Sequence, residues 1–100
     1  MKKTASQSRA KLVQIIEAAP INTRIDLESI GHILKWVSFS LEDGEYEWMA
    51  ERSWKNNRSV GYVHPMKNSQ YVKTFKTLAG AKRSFIKIWS GEWSFVREAQ

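Results

Sequence analysis

Acidic and basic side chains are sorted along this 100-residue chain. From Lys55 to Gly91 stand eight Lys and Arg with no Asp or Glu, whereas residues 36 to 54 hold five carboxylates against Arg52 alone. A basic run of that length suits a polyanion, because each phosphate it neutralises releases condensed counterions and gives an attraction that weakens steeply with salt. Lys55, Arg58, Lys67, Lys73, Lys76, Arg83 and Lys87 are expected to make such contacts, and nucleic acid is the partner they favour. The competing reading is a solvated face that keeps a protein of net charge +6 in solution.

Bond-making chemistry has less to stand on. His32 and His64 are far apart in sequence, and cysteine is absent, so no metal-ligand spacing and no thiol nucleophile is present. The five glycines are scattered at 31, 44, 61, 80 and 91 without a phosphate-cradling pattern. Glu42, Glu45 and Glu47 cluster, but a solvated hairpin tip supplies no burial to split their proton affinities into an acid and a base. The expectation is a non-enzymatic protein with no catalytic residues, metal or cofactor. Absence of Cys suits a reducing compartment, and Lys2-Lys3 is followed by polar residues instead of an apolar run, so a cytoplasmic protein without membrane contact is expected.

These side chains need elements to hold them. Leu12, Ile15, Ile16 and Ala19 recur at helical spacing, with Ser6 or Ser8 as a cap and Pro20 as the stop, which predicts a helix over 7–19. A short helical turn is expected near 26–31, then a strand from Ile33 to Leu41. Asp43-Gly44 is a two-residue hairpin turn. Counting outward pairs Leu41 with Tyr46, Phe39 with Trp48 and Val37 with Ala50, so one face is apolar while Ser40, Glu42, Glu45 and Glu47 share the other. Ser59 to His64 reads as a third strand and Gln70 to Phe75 as a fourth. Thr77 caps a last helix with an apolar stripe of Leu78, Ala81, Phe85, Ile88 and Trp89, stopped by Gly91, and Glu92 to Gln100 docks as an extended tail. The fold class is α+β: an N-terminal helix, a three- or four-stranded antiparallel meander, and a C-terminal helix on the sheet, in a single domain over 1–100 with a flexible 1–6.

On the last helix Arg83 and Lys87 point outward beside Gly80 and Ser84, small residues that leave room for a phosphate backbone, while Lys82 sits at the edge of the apolar stripe. Trp54, Tyr62, Tyr71 and Phe75 interleave with the basic block, where they either stack on bases or, the favoured reading, pack in the core. The acidic hairpin repels phosphate and suits a protein partner instead, through Trp36, Glu45, Glu47 and Glu51. This is the rival function: a phage or mobile-element accessory protein that binds and inhibits a host protein complex. Strand alternation turns Trp36, with Met49 and Glu51, away from the core; the N-terminal helix is expected to cover that second face, with a homodimer as the alternative.

The stretch from Tyr46 to Ile88, three strands followed by Phe75-Lys76-Thr77 and a helix carrying Ala81, resembles the sheet-plus-helix DNA-binding domain of phage-type integrases and plant ethylene-response factors. That resemblance implies strands that read the major groove. The order helix, three strands, helix, with Ala81-Lys82 near the last helix start, also resembles the double-stranded RNA-binding domain.

Overall fold

The computed structural model describes residues 5–53, 62–65 and 73–89. In chain order it comprises helix α1 (Ala5–Glu17), strand β1 (Arg24–Asp26), a 3-10 turn (Glu28–Ile30), strands β2 (Leu34–Glu42), β3 (Glu45–Arg52) and β4 (Tyr62–Val63), and helix α2 (Leu78–Trp89). The strands form one antiparallel sheet in the order β1-β2-β3-β4. No described helix is long and apolar enough to cross a membrane.

The β2–β3 hairpin carries the register that its turn dictates. Asp43 and Gly44 both take positive φ, 52° and 78°, the backbone that matches a tight turn to the twist of its flanking strands. Leu41, Phe39 and Val37 accordingly face Tyr46, Trp48 and Ala50. Farther from the turn the register shifts between Leu34 and Trp36, so that Leu34 joins the core while Trp36 is buried outside it. Strand β1 was not expected. Its three residues pair with Trp36 to Ser38, and the Asn22 and Leu27 N–H groups donate to the Phe39 and Lys35 carbonyls on either side of it.

Both helices pack on one face of the sheet, where Leu12 and Ile16 of α1 and Ala81, Phe85 and Trp89 of α2 share a cluster with Val37, Phe39, Trp48 and Ala50. Phe85 lies at the centre, edge-on to Trp48 at 5.2 Å and to Phe39 at 6.0 Å between centroids; such pairs add about 0.5–1.5 kcal/mol each beyond area burial. The N-terminal helix therefore does not cover the Trp36 face. Side chains from the strands clothe that indole instead: the Arg24 guanidinium lies 4.3 Å from the ring centroid, Tyr62 packs at 6.2 Å, and Nε1–H donates to Glu51 Oε1 at 2.9 Å.

Polar contacts tie the layers together. His32 is fully buried between the start of β2 and the end of α2. Its Nδ1 accepts from the Leu34 N–H at 3.0 Å, which leaves Nε2 to carry the proton and donate to the Trp89 carbonyl at 2.8 Å. A neutral imidazole thus satisfies one of the orphan carbonyls at the end of α2. Lys82 does the same for α1, its ammonium donating to the Glu17 and Ala19 carbonyls at 3.0 and 2.8 Å, where a cation also complements the helix dipole. Buried Ser53 donates its hydroxyl to Glu28 Oε2 and its N–H to the Ile33 carbonyl.

Two local expectations change. α1 begins at Ala5, so Ser6 and Ser8 lie within it instead of capping it. Ile88 leaves the apolar stripe with 53% of its surface exposed, because it falls on the flank of α2 away from α1, whereas Ile86 packs against the core. Of the third expected strand Tyr62 to His64 are described, with Tyr62–Val63 as β4, and of the fourth Lys73 to Phe75, where Phe75 joins the sheet through a bridge to Tyr46. The Gly91 stop and the tail from Glu92 lie outside the described residues.

Candidate nucleic-acid interface

Helix α2 starts where Thr77 accepts the Gly80 N–H on its Oγ1 at 3.0 Å, one of the donors a helix start leaves unpaired. From there 100° per residue places Ala81, Phe85 and Trp89 inward, and Arg83 and Lys87, one turn apart, outward. The neighbouring helix adds a third cation. Arg9 of α1 lines the same depression as Arg83, Ile86 and Lys87, and a contiguous groove runs from it between the helices, lined by Val13, Glu17, Leu78, Ala79, Lys82 and Ile86. Arg9, Val13 and Glu17 stand at i, i+4 and i+8 on one face of α1, so the cation belongs to the row that faces α2.

Arg83 and Lys87 are thus brought together, with Arg9, which sequence reasoning missed. The i, i+4 row was the signal that could have found it, once α1 is known to lie beside α2. Lys73 and Lys76 precede α2, both exposed; the Lys73 ammonium lies 5.4 Å from the Phe75 ring and its N–H donates to the Pro65 carbonyl. Lys55, Arg58 and Lys67 lie outside the described residues. Lys82 is committed to the end of α1. Gly80 and Ser84 do not open a path for phosphate: the Ser84 hydroxyl accepts from Trp48 Nε1 at 3.3 Å, and a Cβ on Gly80 would meet Thr77 Oγ1 at 3.1 Å.

The opposite face of the sheet has the opposite sign. Glu42 faces Glu45, Ser40 faces Glu47 and Trp36 faces Glu51 across the hairpin, so Trp36, Glu45, Glu47 and Glu51 do share one surface. Trp36 is only 5% exposed, and among the described residues the apolar groups that reach solvent there are Met49 and Tyr62. A phosphate about 4 Å from a carboxylate costs about 4 kcal/mol at an effective dielectric of 20 and about 1 in bulk water, so these carboxylates disfavour a polyanion on this face. The major-groove reading implied by the integrase resemblance would present these acids to DNA. Of the interleaved aromatics, Tyr62 lies on this acidic face and Phe75 is half-buried against Tyr46, while Trp54 and Tyr71 lie outside the described residues.

Among the described residues no three His, Asp or Glu side chains gather as a metal site. Compared with protein-family models, with characterised protein sequences and with solved structures, the chain matches none.

Proposed function

We propose that this chain is a small non-enzymatic nucleic-acid-binding protein that holds the phosphate backbone against its two helices. The observation that carries the reading is the convergence of Arg9, Arg83 and Lys87 on one depression, from helices at opposite ends of the sequence. Charges that merely keep a protein in solution gain from spreading apart, whereas a phosphate gains from their convergence. Lys73 and Lys76, and Lys55, Arg58 and Lys67 from the rest of the basic block, extend the same contact in this proposal.

Fluorescence anisotropy with short single- and double-stranded DNA and RNA, over a series of salt concentrations, tests it. Three phosphate contacts alone give a slope of log K against log salt of about −2.7 on duplex DNA, and each further contact steepens it by about 0.9. Arg83→Glu with Lys87→Glu is expected to flatten the slope by about 2 and to weaken binding alike for every sequence. Unchanged affinity in that variant, or dissociation constants no tighter than about 100 μM at physiological salt, would overturn the proposal.

A further inference from the structure

We infer that the face of the sheet away from α1 and α2 docks a protein partner that presents lysine and arginine side chains, independently of any nucleic acid on the helices. Charge complementarity names the partner's chemistry. Glu42 and Glu45 stand directly opposite each other at the hairpin tip, with Asp43 in the turn between them and Glu47 next along β3. Like charges in that arrangement destabilise a hairpin, and a cation set among them relieves the repulsion.

Beside the acids lies an apolar platform, Met49 at 41% and Tyr62 at 63% exposure, in neighbouring rows of β3 and β4 because Tyr62 pairs with Glu51. The Tyr62 part of the platform is ordered in advance. Trp36 beneath it is held by its hydrogen bond to Glu51, by the Arg24 guanidinium and by Tyr62, so little rotamer freedom is lost on binding. Lysine and arginine suit both parts of such a surface, since their aliphatic stems lie on apolar groups while their charged ends reach carboxylates. Other occupants fit worse: a second copy presenting the same face sets carboxylates against carboxylates, and nucleic acid meets the same repulsion.

The test is an NMR titration of the full chain, isotope-labelled, with a short peptide of alternating Lys and Leu and with its Glu-Leu counterpart. The Lys-Leu peptide is expected to shift amide signals of β2 and β3 around Ser38, Glu47 and Met49. Glu45→Lys with Glu47→Lys should weaken it by about tenfold or more without lowering Tm, whereas Arg83→Glu with Lys87→Glu should leave it within about twofold. That last variant separates this surface from the nucleic-acid reading, which fails or stands by its own titration. Shifts confined to α2, no binding, or equal binding of the Glu-Leu peptide at the strands would overturn the inference. Strand signals that change on dilution of the chain alone would overturn it too, by making a second copy the occupant.

Discussion

The two faces of this molecule carry opposite charge by different routes. On the helix face Arg9 and Arg83 meet because α1 packs beside α2, so the site exists only when the tertiary fold does. On the sheet face Glu42, Glu45 and Glu47 meet because one turn pairs their strands, so the cluster is a property of a single hairpin. The first site should be lost with the core, while the second can outlast a loosened helix layer. Charge of one sign within a stretch of sequence becomes charge of one sign on a face only where a local element, here the hairpin, sets the register.

The largest expected effect separates the faces by removing the scaffold of one. Phe85 is fully buried and joins α2 to Trp48 and Phe39. Phe85→Ala leaves a cavity under both helices and is expected to cost about 3–5 kcal/mol, read as a lower midpoint in urea. In the variant, hydrogen exchange should rise first in α1 and α2 and least in the β2–β3 strands. Equal acceleration in both layers would show that the hairpin has no independence, and the contrast between the faces would collapse.

How much of this could be seen in the sequence follows the same division. The hairpin could be read residue by residue, because Asp43-Gly44 sets the turn and the alternation from Val37 to Ala50 admits a single register. Helix α2 could be read from Thr77 and its stripe, apart from Ile88, where spacing alone does not tell which flank of a helix meets a neighbour. Strand β1 could not be read, because three residues held by main-chain hydrogen bonds show no periodicity. The covering of Trp36 was hidden for the same reason, since Arg24 stands on the unread strand. Arg9 was hidden by distance along the chain: nothing local places α1 on the same side of the sheet as α2.

A smaller effect sharpens the comparison within one helix. Lys82 and Arg83 are sequence neighbours of equal charge, yet the Lys82 ammonium is bonded to the end of α1 while Arg83 lines the basic depression. Lys82→Met is expected to cost about 1 kcal/mol, discounted for the water that can replace it at those carbonyls, with little change in the salt dependence of nucleic-acid binding. Arg83→Met should do the reverse, flattening the salt slope by about 0.9 while leaving the unfolding midpoint in place. If both variants change the same quantity, the division of labour between structural and binding cations is wrong.

The smallest expected effect runs against the usual direction of a mutation. Glu45 is exposed and faces Glu42 across the hairpin, so Glu45→Lys turns a repulsive pair into an attractive one and should stabilise the fold by about 0.2–1 kcal/mol. The gain should shrink in high salt, because both groups are in water and the screening length falls from about 10 Å at 0.1 M to about 3 Å at 1 M. Urea denaturation at low and high salt reads both the sign and the screening. A gain in stability accompanied by a loss of affinity for a basic peptide would mean that the carboxylates are kept at the tip against the interest of the fold, as expected of a site that trades stability for binding. Destabilisation would mean instead that Glu45 holds the hairpin together, and the acidic tip would then be a structural feature of the sheet, not a face built for a partner.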